Sequence, residues 1–282
     1  MECVKNMTII ESVACICLSV AVIGRVCSSI SFKKVQNEQE ERFAYCQTKG
    51  TKELQADVIQ IEESQAGLLA VIADGIGKEN TGQVCARLVT DTILDAYESY
   101  QVLKKTDYFF QSSFLEANER VQKSLGDRKG GASVLAVFYD GEAIHYALAG
   151  DIKLLFMRNG ELIPISKGQT IAMLAKQAFY EGSLSKTEAI WSKEETTIWN
   201  YVGKEGFKEV EKSNPPIQVK QGDYVLAMTK GIYEEVSLAR IEDILRKPDT
   251  LKEKVDQIVM EAEQKREVEK ENGTVFLLKV EV

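Results

Sequence analysis

Two turn pairs, Asp140-Gly141 and Asn159-Gly160, stand between alternating apolar runs and restrict the fold more than any other feature of this chain. Asp-Gly and Asn-Gly tolerate the positive φ angles of a tight hairpin turn, so each pair predicts two antiparallel strands joined back to back. The runs are SVLAVFY before Asp140, EAIHYALAG and KLLFM between the turns, and ELIPI after Gly160. Read in order they predict an antiparallel meander.

Val58 to Ile61 and Leu68 to Ala73 are further strand-like runs, joined through the polar Glu62 to Gly67. Cys85, Leu88, Val89, Thr92 and Ala96 recur at helical spacing, as do Phe110, Phe114, Ala117, Val121 and Leu125. Tyr224 to Met228 and Thr274 to Val280 read as strands, with a helix marked by Leu251, Val255, Ile258 and Ala262 between them. Strands and helices in separate runs, without regular β-α alternation, predict a layered α+β fold in which helices cover two antiparallel sheets.

Before this region, Ser12 to Gly24 (SVACICLSVAVIG) is uncharged and mostly apolar. It is short of the roughly 20 residues that a spanning helix needs. Extended past Arg25 to Phe32 it becomes long enough, and Lys33 and Lys34 would then put the rest of the chain on the cytoplasmic side. A peripheral or core-packed helix is the other reading. The expected organisation is an N-terminal hydrophobic segment over 1–34 as a membrane anchor, a polar linker over 35–42, and one domain over 43–282. A net charge of −8 lacks the basic excess that nucleic acid demands. The cysteines at 3, 15, 17, 27, 46 and 85 have neither metal-ligand nor disulfide-framework spacing, which fits reduced thiols in a cytoplasmic compartment.

Chemistry concentrates in AVIADGIGKENTG, Ala70 to Gly82, where an apolar run ends in Asp74-Gly75 and a glycine-containing loop leads into a helix. The glycines at 75, 77 and 82 match neither the dinucleotide nor the P-loop spacing. A turn that merely stops a strand is the bland alternative. The single histidine, His145, lies in an alternating strand and reads as a half-exposed strand residue, and no HExxH or Gly-x-Ser-x-Gly is present.

Taken with its neighbours, this stretch resembles the protein phosphatase 2C family, the metal-dependent PPM phosphatases. Gly50 to Asp57 (GTKELQAD) is similar to the opening Gly-x-Arg-x-x-Asn-Glu-Asp motif, and Ala70 to Gly77 to Val-x-Asp-Gly-x-Gly. Gly130 to Ser133 resembles Gly-Ser/Thr-Thr, Ala149 to Lys153 resembles Gly-Asp-Ser-Arg, and Gly182 to Ala189 resembles the flap segment of bacterial members. Gly222 to Leu226 precedes Thr229-Lys230-Gly231, where the family has Ser-Asp-Gly, and Glu271 to Val275 is similar to Asp-Asn-x-Thr-Val.

The resemblance implies a four-layer α-β-β-α sandwich and hydrolysis of phosphoserine or phosphothreonine with Mn²⁺ or Mg²⁺, whose bridging water attacks phosphorus. It assigns Asp74, Gly75, Glu271, Asp151 and Asp57 to the metal set. Asp74 would also be catalytic, and Lys52 would grip the phosphate of a phosphoprotein substrate in place of an arginine, keeping the charge without the bidentate fork. Two positions depart from the pattern: Ala56 stands where the family has glutamate, and Lys230 where it has an aspartate shared between metals. The second change shifts the local charge by about two units, a repulsion toward a dication of several kcal/mol at contact distance. A single remaining ion, or none, is then expected, and the Lys230 ammonium is expected to pair with Asp74 and Glu271. The leading expectation is a degenerate phosphatase serving as a binding or regulatory module with a regulatory partner; the others are an active Mn²⁺/Mg²⁺ enzyme and a membrane protein using the fold as scaffold.

Overall fold

The two turn pairs fold as hairpins by different means. Asn159 and Gly160 both take positive φ (54° and 82°), as a two-residue hairpin turn requires. Asp140 instead uses its carboxylate: Oδ1 accepts from the backbone N–H of Glu142 at 2.9 Å and of Ala143 at 2.7 Å. The computed structural model describes residues 42–99, 105–192, 197–264 and 269–281. The expected segment 1–34 and linker 35–42, Arg42 apart, lie outside them. Arg42–Val282 forms one compact unit.

The strands are β1 (Phe43–Thr48), β2 (Val58–Ser64), β3 (Gly67–Gly77), β4 (Gly130–Tyr139), β5 (Ala143–Ala149), β6 (Lys153–Arg158), β7 (Glu161–Pro164), β8 (Glu211–Lys212), β9 (Ile217–Gln218), β10 (Tyr224–Met228) and β11 (Gly273–Lys279). The helices are α1 (Thr81–Ser99), α2 (Thr106–Leu125), α3 (Ile171–Tyr180), α4 (Lys186–Trp191), α5 (Lys230–Tyr233), α6 (Leu238–Leu245) and α7 (Leu251–Gln264). One sheet runs β1-β11-β10-β6-β7, the other β2-β3-β4-β5-β8 with β9 also on β5. Every pairing is antiparallel.

Strand alternation divides the core into three layers. On β3, Leu69, Val71 and Ala73 pack under α1 and α2 with Val89, Ile93, Phe110 and Phe114. Leu68, Ala70 and Ile72 face the other sheet and meet Leu154, Phe156, Ala227 and Phe276. On that sheet Leu155, Leu226, Met228 and Leu277 turn outward beneath α6 and α7. A sheet buried on both faces reads as a continuous apolar run, which is what β3 and β4 show. The result is the four-layer α-β-β-α sandwich.

Two expectations change, and one strand was not foreseen. The meander is not continuous: β4 and β5 pair in one sheet, β6 and β7 in the other, because Gly150 to Ile152 lacks tight-turn chemistry and β6 finds β10 instead. The strand expected to stop at Ala73 runs on to Gly77, held by β4 with Asp74 opposite Ser133 and Gly77 opposite Gly130. β1 has little pattern of its own and exists through its pairing with β11.

Candidate functional site

The ladder that carries β3 past its apolar run sets the position of Asp74. It continues the Leu68, Ala70, Ile72 parity and faces the gap between the sheets at one end of the sandwich. Thr274 shares that parity with Phe276 and Leu278 on β11. Between them lies Asp57, 3% exposed, whose Oδ2 accepts from the hydroxyls of Thr274 at 2.7 Å and Thr229 at 2.8 Å. Its Oδ1 is buried with no hydrogen-bond partner. Burial pushes the Asp57 carboxyl up to about 6 against the pull of the two hydroxyls, with the Glu271 charge adding to the rise. Asp74 is driven well above the usual carboxylate range, first by burial, then by the charges of Asp57 and Glu271, while Lys230 opposes.

Two glycines allow the following helix to start against this strand. A Cβ on Gly75 would meet the Gly82 carbonyl oxygen at 2.3 Å and the Ala56 oxygen at 2.8 Å. The first turn of α1 and the 49–57 loop therefore press on the backbone of β3 beside Asp74. Buried Asn272 fastens that loop: its Oδ1 accepts from Ala56 N at 2.7 Å, and its Nδ2 donates to the carbonyls of Lys49 at 2.8 Å and Leu54 at 3.0 Å. Lys52 thereby comes to the rim, with Nζ 3.1 Å from Glu271 Oε2.

The residues that the resemblance assigns to the metal set, with Lys52, Ala56 and Lys230, thus lie at one end of the inter-sheet layer, but not as expected in detail. Lys230 opens α5, where its Nζ lies 3.7 Å from Glu234 Oε1, one turn along. That pair replaces the anticipated ion pairs with Asp74 and Glu271, because the i, i+4 carboxylate is the nearer partner. Asp151, 6% exposed, is held on both oxygens, by Lys153 Nζ at 2.5 Å and by the Tyr233 hydroxyl at 2.8 Å. Lys153, Thr229, Asn272 and Thr274 lie inside the quoted motifs without a role of their own there, and Tyr233 and Glu234 were not singled out; the spacing of Lys230 and Glu234 was an available signal.

Among the described residues no group of three or more His, Cys, Asp or Glu side chains is placed to hold an ion. Ala56 offers no ligand, Glu271 is engaged by Lys52, and Asp151 by Lys153 and Tyr233. Beside the site, α3 precedes Gly182 to Ala189, the segment that resembles the family flap; it exposes Leu174, Phe179 and Tyr180 and borders a cavity of about 860 Å³ that also takes in Gly168, Trp199 and Glu211.

The family model described as Protein phosphatase 2C matches residues 27–174, a little over half of the chain. The chain belongs to the protein phosphatase 2C family. The Listeria innocua "Serine/threonine phosphatase stp" is 23% identical over 201 residues, covering 69% of this chain and 78% of that one. The serine/threonine phosphatase of S. agalactiae superposes with a TM-score of 0.75 at 22% identity, covering 85% of this chain and 99% of that chain. The catalytic domain of the phosphatase PstP, solved in complex with 2 manganese ions, gives a TM-score of 0.64 at 21% identity, covering 84% and 97%. The fold is therefore shared with these structures over 84–85% of this chain.

Proposed function

We propose that this domain is a degenerate protein phosphatase that keeps the fold as a binding or regulatory module for a phosphoprotein or other regulatory partner. One observation carries the reading. By resemblance, Lys230 stands at the aspartate shared between metals; it opens α5 with its ammonium 3.7 Å from Glu234 Oε1, and its charge opposes the rise of the carboxyl of Asp74, which would bridge them. An ammonium there repels a dication by several kcal/mol even with partial screening. Ala56 removes a second ligand. The apolar face of α3 gives a binding role a surface to act through.

A specific feature favours a second reading, an active enzyme with a reduced site. The unpartnered Oδ1 of buried Asp57 and the raised carboxyls of Asp57 and half-buried Asp74 mark a pair that one Mn²⁺ or Mg²⁺ would relieve, with the Gly75 carbonyl as a third donor. In either case the N-terminal apolar run would tether the domain to the cytoplasmic face of a membrane; among the described residues no helix is long and apolar enough to cross one. The deciding experiment is hydrolysis of a phosphothreonine peptide by the full chain across a Mn²⁺ titration, with Lys230→Asp in parallel. No turnover by the native chain and metal-dependent turnover by the variant is the expected result. Metal-dependent turnover by the native chain would overturn the degenerate reading in favour of the second.

A further inference from the structure

The corner at Asp151 poses a separate question. In the family resemblance this aspartate belongs to a metal, yet both its oxygens already have donors. Lys153 Nζ is 2.5 Å from Oδ1 and the Tyr233 hydroxyl 2.8 Å from Oδ2. The same ammonium lies 4.9 Å from the centre of the Tyr233 ring, so lysine, phenol and carboxylate hold one another. The backbone that carries the carboxylate is fixed from behind, where Asp151 N donates to Ser133 Oγ at 3.2 Å.

The corner is also closed from above. Gly168 lies so near that a Cβ there would stand 2.7 Å from Asp151 Oδ1 and 3.5 Å from Lys153 Nζ. Its loop is tied down by Gln169, whose N–H donates to the Gly150 carbonyl at 2.8 Å and whose Oε1 accepts from Gly150 N at 2.9 Å and Asn200 Nδ2 at 2.7 Å. That loop leads directly into α3.

We propose that Lys153 is the built-in cation of this corner: its ammonium, with the Tyr233 hydroxyl, satisfies Asp151 in place of a divalent ion and fixes the loop entering α3 without metal. The chemistry is charge substitution. An ion bound to Oδ1 would share a single oxygen with an ammonium already in contact with it, and the two positive charges would repel at short range. The proposal is independent of Lys230. Turnover by the native chain would leave it standing, and lack of turnover would not establish it.

The test is Mn²⁺ uptake by the full, chelator-stripped chain, read from the free-ion electron paramagnetic resonance signal. Native chain, Asp151→Asn, Lys153→Met and the double variant are compared. Asp151→Asn is expected to leave native uptake unchanged within about twofold. Lys153→Met is expected to gain an added site at least tenfold tighter than any the native chain has at this corner, and the double variant to lose it. Native uptake that falls in Asp151→Asn would overturn the proposal, as would a folded Lys153→Met that gains nothing. Should Lys153→Met fail to fold, the native and Asp151→Asn pair decides alone. Lys153→Arg, which keeps a cation, is expected to stay closed.

Discussion

The Thr229 hydroxyl donates to Asp57 Oδ2 at 2.8 Å across 172 residues of sequence, and the same hydroxyl oxygen accepts from Thr274 N at 2.7 Å. One side chain thus ties the end of β10 to β11 and to the buried carboxylate below the site. Thr229→Val keeps the shape and removes both interactions. Hydrogen bonds to charged groups contribute about 1.5–3 kcal/mol, so the variant should lose roughly that much stability in urea unfolding. Thr274→Val should fall in the same range.

The pH dependence of the metal-free domain has a definite sign. Asp57 is raised from its ordinary value to about 6, so the folded state holds a proton that the unfolded chain releases. Where the folded state binds more protons, stability falls as pH rises. The Asp57 contribution is therefore lost between about pH 4 and 6 and stays lost above, a difference of up to about 3 kcal/mol at 1.36 kcal/mol per unit. Unfolding midpoints in chelator should rise as pH drops from 7 toward 5. Asp57→Asn should reduce that slope and leave the part that the raised Asp74 carboxyl contributes with the same sign.

Restoring chemistry should take more than one position. Lys230→Asp removes the repelling charge, but Ala56 still lacks a ligand. Ala56→Glu combined with Lys230→Asp should exceed Lys230→Asp alone by at least tenfold in Mn²⁺-dependent kcat/KM on a phosphothreonine peptide. Equal rates for the two would show that position 56 contributes nothing to metal binding in this chain.

The contact between Gly75 and Gly82 leaves no room for a methyl group. Gly75→Ala would drive its Cβ into the Gly82 carbonyl at 2.3 Å, both being backbone held by β3 and α1. Overpacking of this kind costs about 1–3 kcal/mol. The thermal midpoint should fall accordingly, and hydrogen exchange should quicken in the first turn of α1 before the rest of the helix.

Much of the fold was legible because its signals are local. The Asn159-Gly160 turn, the apolar runs of β3 and β4, and the helical spacing of Val89 and Phe114 each reflect a short stretch of backbone and the face it buries. The sheet exchange between β5 and β6 was not legible, since nothing in Gly150 to Ile152 says which partner the next strand will find. β1 was missed for the same reason: its order comes from β11, more than two hundred residues away. At the site, the residues that meet were recognisable from their motifs, whereas their pairing was not. Lys230 and Lys153 are both lysines near carboxylates, and only three-dimensional geometry distinguishes the one that turns to Glu234 from the one that seizes Asp151.

The sheet exchange at Gly150 to Ile152 has a mechanical consequence. Asp151 sits on the strap by which the chain leaves one layer of the sandwich and enters the other, so it moves with both. Through Tyr233 it is also hitched to the short helix after β10, and through Gly168 it touches the loop ahead of the flap. A partner that pulls on the flap would load this strap first. The joint between the two sheets is then where a docking event on the surface would be felt in the interior, whether or not any phosphate is ever cleaved there.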